Sequence, residues 1–343
     1  MKYDEIKEKL KSEPKKWLVT GAAGFIGSNL LEALLGLGQD VVGIDNFSTG
    51  FRENLESVRA AVGESSWERF KFKEGDIADP SSCKEVCRGV DYVLHQAAIG
   101  SVPRSLEHPL ETNRSNVDGF LNMLVASRES GVKRFVFASS SSVYGDDESL
   151  PKVEERTGGP LSPYAVTKQA GELYAKVFAR EYYRLENIGL RYFNVFGPRQ
   201  NPGGAYAAVI PKWIALLLKG ERCTIFGDGE TSRDFCYIEN VIQANLLAAL
   251  ADNEQAVNEV YNVGYGNRTT LNQLYQAIRG RLSVHKAVVS ELEPIYGDFR
   301  QGDIRHTEAD VGKAERLLGY QPSHSLEQGL AEAMAWFVNN PAK

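Results

Sequence analysis

Between residue 15 and about residue 138, short apolar runs alternate with longer stretches whose apolar positions recur at helical spacing. The runs at 16–20, 41–45, 70–74, 92–96 and 134–138 are rich in Val, Ile, Phe or Tyr, as strands buried on both faces require. Strand and helix in alternation predict a parallel sheet with helices on both sides. A further strand is expected over 188–195, after a helix that carries Tyr164. Beyond it, Gly197-Pro198, Asn201-Pro202-Gly203-Gly204 and Gly227-Asp228-Gly229 mark turns, and a second, smaller region begins. From Asp234 to Gly264 a strand, an Ala- and Leu-rich helix and the apolar run 260–263 bring the chain back to the first region. The expected division is 1–193 with 235–264 as one domain, and 194–234 with 265–343 as the other. Residues 1–14, dominated by Lys and Glu with Ile6 and Leu10 as the main apolar positions, read as a short amphipathic helix packed on the body.

Composition narrows the class. A chain of 343 residues, 43% hydrophobic and 24% charged, has enough apolar material for a globular core. The net charge of −6 and the lack of a Lys/Arg block exclude a nucleic-acid footprint, so any phosphate must be met by local features. No uncharged apolar run reaches the roughly 18 residues of a membrane span, and the N-terminus lacks the apolar core of a secretory signal. A soluble, cytoplasmic protein is expected. Cys83, Cys87, Cys223 and Cys236 lack zinc-site spacing and read as buried or idle thiols. His95, His108, His285, His306 and His324 are scattered, and no metal is expected.

Three signals carry chemistry. The first is Thr20-Gly21-Ala22-Ala23-Gly24-Phe25-Ile26-Gly27, which follows a predicted strand and opens a predicted helix. In that context Gly21 allows the tight turn, Gly24 lets backbone approach a pyrophosphate and Gly27 permits close helix packing. The helix N-terminus offers amide donors and partial positive charge to the phosphates. This is the fingerprint of a Rossmann-type, doubly wound α/β fold with a smaller C-terminal α/β region. Asp45, 18 positions after Gly27, closes the second strand where an acid grips the adenosine ribose and repels a 2′-phosphate, so NAD is expected rather than NADP; an aspartate that merely caps the next turn is the minority reading. Asp76-Ile77 follows the third strand and is placed to meet adenine; a plain turn aspartate is the other reading. The last signal is Tyr164 with Lys168, one helical turn apart on one face, an arrangement that favours the phenolate and lowers the phenol below about 10.

With the run Ser139 to Ser142 preceding that pair, the chain resembles the extended short-chain dehydrogenase/reductase family over essentially its whole length, most closely the nucleotide-sugar 4-epimerases. Gly21-x-x-Gly24-x-x-Gly27 matches the cofactor turn and Tyr164-x-x-x-Lys168 the catalytic pair. Aligning Ser-x-x-Val-Tyr-Gly on Val143-Tyr144-Gly145 puts the catalytic serine at Ser140, leaving Ser139 as a plain strand end. The segment from Arg191 to Pro198 matches the one in which Tyr192 reaches the nicotinamide side and Asn194 the nucleotide diphosphate. The resemblance further implies Phe25, Ile26, Asn46, Gln96, Ala97, Ala98 and Asn116 around the cofactor. It implies Val209, Lys212, Thr224 and Phe226 around the sugar nucleotide, with Arg233 and Arg300 on its diphosphate and Asp303 near the uridine ribose.

The resemblance also implies a mechanism. Tyr164 removes the proton of the sugar 4-hydroxyl while NAD takes the C4 hydride; Ser140 holds the developing ketone and Lys168 keeps the tyrosine ionised. The keto sugar then turns over and is reduced from its other face. Dehydratases of this group carry an Asp-Glu pair before Val-Tyr-Gly and decarboxylases a Glu, whereas this chain has Ser141 and Ser142. Thr307 stands where glucose-restricted epimerases carry Tyr, leaving room for an N-acetyl group beside a wall of Gly100, Ser101, Ser141, Ser142 and Gln200. The run from Ala97 to Ser105 and the charged N-terminal helix are most similar to bacterial UDP-N-acetylglucosamine 4-epimerases of surface-polysaccharide (O-antigen, lipopolysaccharide) pathways. A homodimer through helices near Asn113 and Pro163 is implied in the same way. A UDP-glucose or UDP-glucuronate 4-epimerase is the alternative within enzymes. A non-catalytic NAD-binding sensor is the alternative outside them, and the intact Ser140, Tyr164 and Lys168 argue against it.

Overall fold

The computed structural model describes residues 2–180, 185–203, 206–299 and 304–340. A parallel sheet of seven strands forms its centre: β1 Lys16–Thr20, β2 Asp40–Asp45, β3 Phe70–Glu74, β4 Tyr92–His95, β5 Arg134–Ser140, β6 Asn187–Tyr192 and β7 Glu259–Val263. Their spatial order is β7-β6-β5-β4-β1-β2-β3, so the order reverses between β1 and β4. That reversal opens a crevice at the carboxyl ends, where open α/β sheets bind ligands.

Alternating side chains feed two cores. Trp17, Val19, Leu94 and Val136 join one core, capped by α2 (Phe25–Gly36), α3 (Arg52–Val62) and, beyond them in the chain, the helix Ile238–Ala249. Leu18, Val93, Phe135 and Phe137 point to the other, packed against α4 (Gly119–Glu129) and α5 (Pro163–Phe178). The second region supplies α6 (Val209–Lys219), after which the chain returns to the sheet through α7 (Ile238–Ala249) and leaves again into α8 (Leu271–Ser283) and α9 (Leu326–Asn339). The first core runs unbroken from Trp17 to Phe337, so the two expected domains share their apolar interior. At the N-terminus α1 (Lys2–Ser12) buries Ile6 and Leu10, as its pattern predicts. Gln39, fully buried, fastens it: its amide donates to the Leu10 carbonyl at 2.8 Å, and its oxygen accepts from Lys15 N and Trp17 Nε1. All four cysteines are free and buried, as read from their spacing.

Two strand limits differ from the sequence reading. The strand expected over 188–195 stops at Tyr192, because Asn194 adopts φ 30 and turns the chain; Val195–Phe196 then pairs separately with Cys236–Tyr237. The strand expected to end at 138 continues to Ser140, because Ser139 and Ser140 stay in register with Arg191 and Tyr192. Both shifts aim residues at the crevice. Among the described residues no helix is long and apolar enough to cross a membrane.

Candidate active site

A cleft of about 450 Å³ lies across the carboxyl ends of β1 to β6. Its walls bring together most of the residues singled out from the sequence: Gly21, Gly24, Phe25, Ile26 and Gly27; Asp45 and Asn46; Asp76 and Ile77; Gln96, Ala97, Ala98 and Gly100; Ser140, Tyr164, Lys168, Tyr192 and Gln200. Sequence reasoning missed Ser48, Thr49, Gly75, Ser115 and Val195 on the same walls. Ser48 and Thr49 had a signal, a polar turn directly after the acid that closes β2; Ser115 had none.

The glycine turn is fixed by close contacts. Gly21 has φ +67, and a Cβ there would lie 2.9 Å from Ala97 N. A Cβ on Gly27 would lie 2.0 Å from the Gly21 carbonyl oxygen, so the helix packs onto its own entry turn. On Gly24 a Cβ would meet only that oxygen, at 3.1 Å, which leaves its other side open to the cleft. Asp45 ties turn to strand by accepting from Ala23 N at 2.9 Å and Phe47 N at 2.8 Å. Asn54 of α3 donates to the Ala23 carbonyl at 2.8 Å from behind, a support no motif announced. Burial pushes the Asp45 carboxyl up while these amides pull it down. Asp76 lines the cleft, and as a turn aspartate it accepts from Ala78 N at 2.8 Å and from Arg114 at 3.1 Å.

At the other end stand Ser140, Tyr164 and Lys168. Ser162 caps α5 by accepting from Ala165 N, with Pro163 in the first turn, so the helix begins just where Tyr164 faces inward. Ser140 Oγ accepts from Ser142 N at 3.1 Å and Ser142 Oγ at 3.0 Å. Its own proton is therefore left for the Tyr164 oxygen, to which it is hydrogen-bonded. The sequence reading gave the lowering of the phenol to Lys168, and here the structure corrects it. Burial raises the Tyr164 phenol and the Ser140 hydrogen bond opposes that rise. Lys168 Nζ instead donates to the Ala138 carbonyl at 2.7 Å and lies 5.8 Å from the centre of the Tyr164 ring. Burial lowers Lys168 itself to about 8, against the pull of the Glu172 carboxylate.

Buried polar contacts hold the walls. Tyr192 donates to Gln96 Oε1 at 3.1 Å and accepts from Asn245 Nδ2 at 2.8 Å, while Gln96 Nε2 donates to Asn245 at 3.1 Å. Asn116, assigned to the cofactor from the resemblance, is off the cleft wall among the described residues. It accepts from Ile99 N at 2.7 Å and donates to the Ile99 carbonyl and Thr167 Oγ1, clamping the loop that carries Ala97 and Ala98. Thr20 Oγ1 accepts from Gln96 N and Ala97 N, both at 3.1 Å, so its hydroxyl proton goes to His95 Nδ1 at 2.9 Å. His95 is thereby neutral, and burial first and Lys168 second push it down to about 3. An unfolded His takes its proton near 6.5. The unfolded chain thus binds the extra proton as pH falls, and stability present above 6.5 is lost below it by about 1.4 kcal/mol per pH unit. Denaturant unfolding at pH 7.5 and 5.5 should show that loss in the native chain and a smaller one in His95→Gln. Parallel losses would remove His95 as the cause.

The NAD dependent epimerase/dehydratase family model matches residues 17–264. The chain belongs to this family. Among its relatives is the UDP-glucose 4-epimerase of Mycolicibacterium smegmatis, 37% identical over 324 residues, covering 94% of this chain and 98% of the relative. The UDP-glucuronate 4-epimerase of Thermodesulfobacterium geofontis is 35% identical, covering 94% and 96%. A solved UDP-N-acetylglucosamine 4-epimerase from Methanobrevibacter ruminantium M1, in complex with UDP-N-acetylmuramic acid, superposes with a TM-score of 0.86 at 38% identity, over 95% of this chain and 99% of that one. NAD is the cofactor of the family, and the cleft fits it: an open glycine cradle at a helix N-terminus, with a strand-end carboxylate in place of a cation for a 2′-phosphate.

This family member carries its substrate-side candidates on several elements. Thr307 N donates to the Ser232 carbonyl at 3.1 Å and Asn194 Nδ2 to the Asp234 carbonyl at 3.0 Å, so Asn194, Arg233 and Thr307 share one strip. Arg233 donates to the carbonyls of Ser232 and Arg305. Ser101, with φ 100, caps the helix Val102–Glu107, while Ser141 and Ser142 open the helical turn Ser141–Tyr144. Val209 and Lys212 lie on α6, and Thr224 and Phe226 on the short strand paired with Ile295–Gly297. None of these ten residues is on the cleft wall among the described residues. Arg300 and Asp303 lie outside the described residues.

Proposed function

We propose that this protein interconverts UDP-GlcNAc and UDP-GalNAc by inverting the sugar at C4. An NAD-dependent UDP-sugar 4-epimerase is the activity that the family, one of epimerases and dehydratases, and the two curated 4-epimerase relatives support together. The observation that carries the reading is the placement of Ser140 and of a half-buried Tyr164 and Lys168 on the walls of the same cleft as the glycine turn. NAD, when bound there, supplies a hydride acceptor and donor for one carbon. As phenolate, the form that Ser140 favours against burial, Tyr164 Oη takes the proton of the 4-hydroxyl and returns it after the sugar has turned; the one proton of Ser140 faces the phenolate in the resting site and passes to the substrate oxygen once the phenol is protonated. Lys168 keeps positive charge at this end. Gly21, Gly24, Phe25, Ile26, Gly27, Asp45, Asn46, Asp76, Ile77, Gln96, Ala97, Ala98 and Tyr192 hold the cofactor in this reading, and Asn116 holds their loop. Arg233 and Arg300 meet the diphosphate.

The N-acetyl preference is supported by Thr307. The Thr307 side chain is buried beside Ser232 and its hydroxyl has no partner among the described residues, so it is left to meet a polar group of the substrate. No carboxylate precedes Val143 to remove water from the sugar, which supports epimerisation over dehydration. Thr307→Tyr should lower kcat/KM for the acetylated sugars roughly tenfold or more and spare UDP-glucose, since an added ring exceeds the volume a packed pocket tolerates. Equal losses on both would remove Thr307 as the gate. The direct test is product analysis after incubation with UDP-GlcNAc and no added cofactor, beside UDP-glucose and UDP-glucuronate. UDP-GalNAc as main product supports the reading; preference for a plain sugar or the uronate moves the assignment to that substrate.

The product would serve surface-polysaccharide assembly in the cytoplasm. A homodimer is part of the proposal. Val166, Leu173, Tyr174 and Val177 expose an apolar stripe on α5, beside exposed Leu106 and Leu110 of the two short helices Val102–Glu107 and Pro109–Asn113.

A further inference from the structure

Glu172 sits on α5 one turn after Lys168 and two turns after Tyr164, on the same face. It is 12% exposed at the side chain. Its carboxylate accepts from Ser139 Oγ at 2.5 Å and Arg191 Nε at 2.9 Å on one oxygen, and from Arg191 Nη2 at 2.8 Å on the other. Ser139 and Arg191 are register partners on β5 and β6, and the next rung of the same ladder is Ser140 with Tyr192. One carboxylate thus ties the helix bearing Tyr164 and Lys168 to the two strand positions directly before Ser140 and Tyr192. Arg191 is itself held from behind: Nη1 donates to Tyr144 Oη at 3.1 Å and to the Glu154 carbonyl at 3.0 Å, and Tyr144 donates to Asn262 at 2.6 Å. Arg191 is thus tied on its far side as well, and Glu172 sets the distance between α5 and the two strands.

We propose that Glu172 is a positioning residue for the epimerase reaction, fixing α5 against β5 and β6 so that Tyr164 and Lys168 stand in register with Ser140 and Tyr192. The claim rests on the function proposed above. Among the described residues the groups that face this network are few, and the Glu154 carboxylate, which accepts from Asn262 N at 2.8 Å, is one of them. From β6 comes Arg191, from the turn after β5 Tyr144, from β4 the neutral His95, and from β7 Glu259, which with Lys176 lines the cavity behind Glu172. Of these, Glu172 is the anion that raises Lys168 against its burial.

Two variants and two readouts test it on the NAD-loaded full chain. Glu172→Gln keeps the shape and removes the charge; Glu172→Asp keeps the charge on an arm one methylene shorter. In Glu172→Gln, kcat should fall roughly tenfold to a hundredfold with KM for the UDP-sugar within about twofold, because the reacting groups shift by a fraction of an ångström while the binding strip is untouched. Lysine-labelled carbon NMR, with the Lys168 signal assigned by its loss in Lys168→Arg, reads the charge without turnover. That signal should titrate at a pH lower by about one unit in Glu172→Gln and at the native pH in Glu172→Asp, whose kcat still falls. Native kcat in both variants, or an unmoved Lys168 titration in Glu172→Gln, overturns the proposal. If Glu172→Gln does not fold, Glu172→Asp decides: reduced kcat with native KM and an unmoved Lys168 signal supports positioning, and native kcat overturns it. Should the native protein act on no UDP-sugar, the function proposed above fails, and the Lys168 titration still decides whether Glu172 governs its charge.

Discussion

Tyr164→Phe lowers turnover of the UDP-sugar by on the order of 10²–10⁴-fold and leaves NAD in place. The side chain is half-buried and its backbone N–H donates to Ser105 Oγ at 3.1 Å, so the phenylalanine keeps both packing and helix entry. What disappears is the one oxygen to which Ser140 donates. Ser140 still accepts from Ser142 N and Oγ, and so remains oriented towards a phenol that no longer exists. Water fills that role poorly in a cleft end lined by Ala97, Ala98 and Ala138. The check is single-turnover and steady-state epimerisation beside the NAD content of the purified variant. Full activity would take the phenol out of the mechanism; loss of NAD together with activity would make Tyr164 a cofactor contact alone.

Gly27→Ala should empty the cleft of NAD. A Cβ at this position would lie 2.0 Å from the Gly21 carbonyl oxygen and 2.7 Å from its carbon. Both partners are backbone, and Gly21 is pinned by its N–H to the Ile44 carbonyl at 2.8 Å. Either α2 moves outward or the turn flattens, and either change withdraws the amides at the helix start from the phosphates. Overpacking of this kind costs about 1–3 kcal/mol, and each 1.4 kcal/mol charged to the bound geometry is a tenfold loss of affinity. Purified Gly27→Ala should therefore carry less than about a tenth of the native NAD and respond to added NAD. Native cofactor content would show that the turn has slack its contacts deny.

The sequence contained the sheet, the crevice and most of the cofactor wall, because those features are written in local patterns. Buried strands need continuous apolar runs, a tight turn with φ +67 needs Gly21, and a helix that packs on its own entry turn needs Gly27. Asp45 was legible from spacing alone, since β2 lies beside β1 and both end at the same level. Residues far apart in the chain were not legible. Nothing near Gln39 points to Leu10, nothing near Asn245 to Tyr192, and nothing in Ser139 to Glu172. Each is a buried polar group that must find a partner, and which partner it finds depends on how the helices settle on the sheet.

The Tyr164 phenol shows the division most plainly. Its spacing from Lys168 fixes that the two share a helical face, and that much the chain alone determined. Whether the ammonium reaches the phenol is decided by the fold, which draws Nζ onto the Ala138 carbonyl at 2.7 Å and leaves Ser140 to hydrogen-bond the phenol oxygen. Periodicity is a property of neighbours on one helix, whereas charge balance in a buried site is the sum over every element that packs there.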